Sequence, residues 1–129
     1  MTRINVGIPP AKLSRQHLLA EHREIKKIPN MIRSGRANLD NIPEKFCLGK
    51  GHVKFFYDKL NTLYWRYLEV YKECIKRGYN VVNYEDCWDF YYSTDKCYDS
   101  PIYEFTEEDT RLIKDRLLEK DYDFYSKIF

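Results

Sequence analysis

The sequence predicts an all-α fold: a compact single domain of three main helices with an extended N-terminal arm. Apolar residues recur at i, i+3 and i+4 over residues 53–77, two other segments carry helix-start signals, and no segment shows a convincing strand pattern. At 129 residues the chain is long enough to bury one core and too short for two, so residues 1–129 read as one domain.

The arm comes first. Gly7 and the Pro9-Pro10 pair exclude a helix over the first thirteen residues. Ser14 can then cap a helix running through RQHLLAEHREIKK, with Leu18, Ile25 and Ile28 along one apolar stripe. Pro29 should kink or end that helix, which can continue as far as Gly35. Residues 34–52 read as a connector containing Pro43 and the turn Gly49-Lys50-Gly51. The strongest periodicity follows, with Phe56, Leu60, Leu63, Tyr67, Leu68, Tyr71 and Ile75 on one face and Gly78 where a C-terminal cap belongs. Residues 79–105 are irregular, acidic and dense in Tyr and Trp. Thr106-Glu-Glu-Asp109 has the pattern of a capping box, opening a third helix with Leu112, Ile113, Leu117 and Leu118 inward.

Charge is divided along the chain. Residues 1–82 carry 16 Lys/Arg against 7 Asp/Glu, a net of +9, and residues 83–129 carry 6 against 13, a net of −7. A basic segment within a domain of formal charge +2 suits a polyanionic partner, although the same charges would also solvate surface helices. No stretch reaches the roughly 20 apolar residues of a membrane span. The N-terminus lacks the apolar core of a signal peptide, so a cytoplasmic, membrane-free monomer is expected. Cys47, Cys74, Cys87 and Cys97 form no CxxC pair, and His17, His22 and His52 complete no zinc spacing. Free thiols, no metal and no organic cofactor are the expectation.

Three constellations can carry chemistry. A small second residue permits removal of Met1, which exposes the α-amine of Thr2. Such an amine has a pKa of about 7.7–8.0 against about 10.4 for lysine, so much more of it is neutral and nucleophilic near pH 7. Cationic Arg3 alongside should lower it further. On the first helix, His17, Glu21, Glu24 and Ile28 share a face, with Arg23 beside Glu24 and Lys26 and Lys27 following. A carboxylate on a basic surface can stabilise an oxocarbenium-like sugar; it can equally be a solvated helix residue. The block GKGHVKFFYDKL, residues 49–60, offers backbone amides to a phosphate, whereas Phe55, Phe56 and Tyr57 read as packing residues before base-stacking ones.

Five segments in order, MTRIN, QHLLAEHRE (16–24), LGKGHVKFFYDKL (48–60), ECIKRGYN (73–80) and RLLEK (116–120), resemble the phage-type pyrimidine dimer DNA glycosylases known as endonuclease V. The resemblance implies a compact three-helix fold and a metal-free DNA glycosylase and AP lyase acting on double-stranded DNA with pyrimidine dimers or abasic sites. It implies that the Thr2 amine attacks the sugar C1′ and that Glu24 is the catalytic carboxylate. It also implies DNA contacts at Arg3, His17, Arg23, Arg116 and Lys120. Lys27 stands where the family carries an arginine, keeping the charge without the planar fork. Phe124 and Tyr125 are expected to serve as the family's aromatic tail at the lesion, although this tail is shorter. One extra residue precedes the QHL motif, and residues 81–110 match poorly. A glycosylase for another damaged base, or a non-catalytic DNA-binding module of the same fold, remain the alternatives.

Overall fold

Two side-chain caps fix the helices that later meet at the site. Ser14 Oγ accepts the His17 N–H at 3.3 Å, starting α1 (Arg15–Glu24). Thr106 Oγ1 accepts from Asp109 N at 3.1 Å while Asp109 Oδ2 accepts from Thr106 N at 3.2 Å, a complete capping box for α6 (Glu107–Lys120). The computed structural model describes residues 2–93 and 102–129, and over these the fold is all-α, without a strand. Met1 and Cys97, which the sequence reading invoked, lie outside the described residues. Among the described residues no helix is long and apolar enough to cross a membrane. Cys47, Cys74 and Cys87 are free thiols, as expected.

Pro29 neither kinks nor ends a continuous helix. A turn at Ile25-Lys26 comes before it, so Pro29 sits in the first turn of α2 (Lys27–Arg33), where no helical carbonyl needs its missing N–H. The apolar stripe of Leu18, Ile25 and Ile28 is fully buried.

The long periodic segment divides in two: α3 (His52–Phe55) and α4 (Leu60–Lys76). Lys59 leaves helical conformation at φ −127° and ψ 39°. Its Nζ donates to Phe55 O at 3.0 Å and lies 3.8 Å from the Phe55 ring centroid, so the side chain satisfies a carbonyl at the break. Phe56 and Leu60 remain buried on either side, which is why the apolar period reads straight through. α4 ends as anticipated at Gly78 (φ +80°), with Gly78 N–H to Ile75 O at 2.9 Å and Tyr79 N–H to Cys74 O at 3.0 Å. Ile75 and Leu112, expected inward, are exposed.

The N-terminal arm is extended but not peripheral. Ile4, Val6 and Ile8 are core residues with Leu18, Leu63, Tyr67 and Leu117. Gly7 lets the arm pass close to α6, since a Cβ there would stand 2.6 Å from Thr110 Oγ1. Pro10–Lys12 forms a 3-10 turn where no helix was expected. Arg77 Nη2, at the end of α4, clamps it by donating to the carbonyls of Pro10, Ala11 and Leu13 at 3.2, 3.1 and 2.8 Å.

The acidic aromatic segment holds a 3-10 turn (Glu85–Trp88) and α5 (Asp89–Tyr92). Buried Trp88 donates its indole N–H to Leu60 O at 3.1 Å, pinning this segment to the start of α4. Asp121 caps the closing α7 (Tyr122–Tyr125), its Oδ1 accepting the Phe124 N–H at 3.2 Å.

Candidate active site

Arg3 and Asn5 of the arm, His17, Ala20, Glu21 and Glu24 of α1, and Arg116, Leu117 and Lys120 of α6 line one cleft of about 70 Å³. Its floor is a buried polar network. Glu21, whose side chain is inaccessible to solvent, accepts from Arg66 Nε at 2.6 Å and Nη2 at 3.0 Å. Arg66 spends its Nη1 on Ile8 O at 2.7 Å, so α4 holds α1 and the arm through one guanidinium. Asn5 continues the chain, with Nδ2 donating to Glu21 Oε1 at 3.0 Å and Oδ1 accepting from Arg116 Nη2 at 3.1 Å.

Arg116 brings a positive charge to the wall of the cleft. Its Nε is buried without a hydrogen-bond partner among the described residues. Burial foremost, and Arg3 nearby, push its pKa down to about 10, which leaves it charged at neutral pH. Arg116 and Lys120 belong to the acidic half of the sequence, yet the acidic first turn of α6 (Glu107, Glu108, Asp109) lies at the far end of the helix. Lys120, in the last turn, also suits the C-terminal end of the helix dipole.

Glu24 is the partly exposed carboxylate of the cleft. Its side chain is 13% exposed and pairs with Lys27 Nζ and, at 3.2 Å, with Arg23 Nε. The Lys27 hydrogen bond first, and Arg23 with it, hold Glu24 below the usual carboxylate range despite opposing desolvation, so it is ionised at neutral pH. Arg23 and Lys27 are 62% and 55% exposed. They flank Glu24 without lining the cleft itself.

His17 stands at the other end of the same face. Its Nδ1 lies 2.6 Å from Tyr125 Oη, with the rings stacked at 5.4 Å. Burial first, then Arg3 and Arg116, lower its pKa against the opposing pull of Asp121. A neutral ring accepting the Tyr125 hydroxyl at Nδ1 keeps Nε2–H as its donor.

This corrects one expectation. Tyr125 is fully buried, so its ring cannot stack on a base; it supports His17 and receives Ser14 N–H at 3.1 Å. Phe124, 38% exposed and packed at 4.8 Å against Tyr125, remains available at the surface. Phe55 and Phe56 are core residues, the packing reading, and Tyr57 is part-buried with its hydroxyl toward Met31 Sδ. Thr2 is part-exposed and directly precedes cleft-lining Arg3.

The sequence reading missed Asn5, Arg66 and the support role of Tyr125. Arg66 carried a signal only in retrospect, as a charged residue between Leu63, Tyr67 and Val70 on the apolar face of α4. The spacing of His17, Glu21 and Glu24 did bring all three to the cleft.

A family model described as pyrimidine dimer DNA glycosylase matches residues 1–84. The match includes the arm, α1 with Glu24, and the α3–α4 region, whereas Arg116 and Lys120, which reach the cleft from α6, and Phe124 of α7 lie beyond it. Covering 84 of the 129 residues, it shows that the chain belongs to the pyrimidine dimer DNA glycosylase family, whose members are DNA-repair glycosylases.

Proposed function

We propose that this protein is a bifunctional DNA glycosylase and AP lyase that excises cyclobutane pyrimidine dimers from duplex DNA, with the Thr2 α-amine as nucleophile. One observation carries the reading. The arm that carries Thr2 lines, through Arg3 and Asn5, the same cleft as a partly exposed, ionised glutamate, with Arg116 and Lys120 in its wall.

The steps follow from those groups. Arg3, Arg23, Lys27, Arg116 and Lys120 hold phosphates of a duplex that bends at the lesion. The neutral Thr2 amine adds to C1′ of the 5′ nucleotide of the dimer. The C1′–N1 bond breaks, the base nitrogen leaves with the bonding electrons, and the amine loses a proton. Glu24 stabilises the positive charge that develops on the sugar. A carboxylate whose pKa is held low is a weak base, so electrostatic stabilisation is its natural part. Opening of the sugar ring gives an imine that acidifies C2′–H. Its loss expels the 3′ phosphate by β-elimination, and water hydrolyses the imine to release the enzyme.

His17, oriented by Tyr125, and Phe124 are assigned to the lesion side of the cleft. An abasic site already presents an electrophilic C1′, so abasic duplex should be cut as well as dimer duplex. Borohydride treatment during turnover, in EDTA, should leave a covalent enzyme–DNA adduct through Thr2. Protein that retains Met1 should bind duplex and form no adduct. Full cleavage by protein shown by mass spectrometry to retain Met1 would overturn the amine mechanism. Cutting at abasic sites with none at dimers would leave the lyase and remove the dimer specificity.

A further inference from the structure

Once Met1 is removed, the Thr2 nitrogen ends the chain, and its position depends on what holds Arg3, Ile4 and Asn5. The side chains of Ile4 and Asn5 are buried, and Arg116 reaches Asn5 Oδ1 at 3.1 Å. The backbone of Ile4 has its own partner. Its N–H donates to His52 Nε2 at 3.0 Å, from a residue at the start of α3 and 48 positions away.

His52 is itself fixed on every side. Its Nδ1 lies 2.9 Å from Cys47 O, an atom that can only accept, so Nδ1 carries the proton and Nε2 presents a lone pair. Phe46 and Phe56 meet the imidazole edge-on, with centroids at 5.5 and 5.4 Å and interplanar angles of 78° and 87°. The ring is 2% exposed. It therefore cannot touch a substrate, and it ties the connector, α3 and the arm together.

We infer that His52 is a positioning residue for the N-terminal nucleophile: its neutral Nδ1–H tautomer, anchored on Cys47 O, holds the Ile4 amide and thereby sets where the Thr2 nitrogen stands. Desolvation pushes the His52 pKa down to about 4, so the lone pair is present throughout the neutral range. Two residues separate the held amide from the amine, which confines the nucleophile within about 7 Å of Ile4 N. Attack needs the reacting atoms about 3–3.5 Å apart, and a displacement of about 1 Å can cost about a hundredfold in rate. This inference rests on the amine mechanism proposed above.

The test compares His52→Gln with His52→Asn. Glutamine places an acceptor near the position of Nε2 and can still reach Ile4 N–H. Asparagine mimics Nδ1, keeps the Cys47 bond and leaves Ile4 N–H without a partner. In single-turnover borohydride trapping on abasic duplex, His52→Asn should lose about a hundredfold in rate at unchanged duplex affinity, and His52→Gln should recover most of that loss. Amide exchange at Ile4 should quicken in His52→Asn and stay slow in His52→Gln. Trapping by His52→Asn at the wild-type rate overturns the inference. So do losses in both variants that merely follow their thermal stability. Imidazole ¹⁵N shifts of wild-type protein give an arm without variants: a protonated Nδ1 and bare Nε2 support the assignment, and the reverse tautomer overturns it. Wild-type protein that cleaves DNA yet traps no adduct would instead refute the amine mechanism, and this inference with it.

Discussion

Replacing Arg66 by methionine should destabilise the protein by about 3–5 kcal/mol, the range for removing one partner of a buried ion pair. Three features of the structure place it there rather than near zero. Arg66 and Glu21 have side chains only 5% and 0% exposed. The guanidinium makes three hydrogen bonds, two to Glu21 and one to Ile8 O, at 2.6–3.0 Å. Without it, the Glu21 carboxylate keeps Asn5 Nδ2 as its remaining partner in a site closed to water. The exposed pair Lys45–Glu108 is an internal control, with side chains 74% and 67% exposed, where such a pair is worth about 0–1 kcal/mol. Thermal and urea unfolding followed by circular dichroism should show Arg66→Met melting about 10–20 °C lower and Lys45→Met almost unchanged. The double variant Glu21→Leu with Arg66→Met should be less damaged than Arg66→Met alone, because no charge is left buried. A single variant within about 1 kcal/mol of wild type, indistinguishable from Lys45→Met, would refute the claim that this pair anchors the floor of the cleft.

Glu24→Gln should remove most base excision while preserving affinity for dimer-containing duplex, as read by gel shift and single-turnover cleavage; cleavage at the normal rate would make Glu24 a solvated helix residue. If Arg3, Arg23, Lys27, Arg116 and Lys120 each neutralise one phosphate, log affinity against log salt should have a slope of about −4 to −5, at about −0.9 per contact. Removing any one should flatten the slope by about one unit, on damaged and undamaged DNA alike. Acid should weaken the fold through His52, whose pKa falls from 6.5 to about 4 on folding. The unfolded chain binds the extra proton between those values, so this stabilisation is complete above pH 6.5 and falls by about 3 kcal/mol on reaching pH 4. Urea midpoints at pH 7, 5.5 and 4 measure it, and His52→Gln should show a shallower decline.

What could be read from the sequence was local. Ser14, Thr106 and Gly78 announce helix ends because their partners lie within a few residues. His17, Glu21 and Glu24 meet because one helical face collects them. Partners distant along the chain stayed hidden. Arg66 finds Glu21 at 45 positions and Ile8 at 58, so its role exists only once three elements have packed. The break before α4 escaped notice because burial of Phe56 and Leu60 preserves the apolar period across it. Tyr125 and Phe124 could not be told apart as members of an aromatic tail. Asp121 caps a short turn of helix that sends one ring into the core and leaves the other at the surface.

Glu21 and Glu24 show how environment, rather than residue type, divides the work along one face of α1. Glu21 is closed from solvent and bound by Arg66 and Asn5, both nearly buried themselves, so its charge is fully committed to holding the arm against α1 and α4. Glu24, three residues on, is paired with Arg23 and Lys27, whose side chains are more than half exposed. Exchanging such partners costs little, since exposed ion pairs contribute about 0–1 kcal/mol each. Under the proposed mechanism that difference is functional. As a duplex enters, Arg23 and Lys27 can turn to its phosphates, and Glu24 keeps its negative charge for the cation forming at C1′. Arg66 cannot make the same exchange, because leaving Glu21 would strand a carboxylate in the core. Removing both partners of Glu24, by Arg23→Met with Lys27→Met, should therefore weaken DNA binding and barely move the melting temperature, unlike Arg66→Met. Equal thermal losses from the two replacements would show that Glu24, like Glu21, is held for structure.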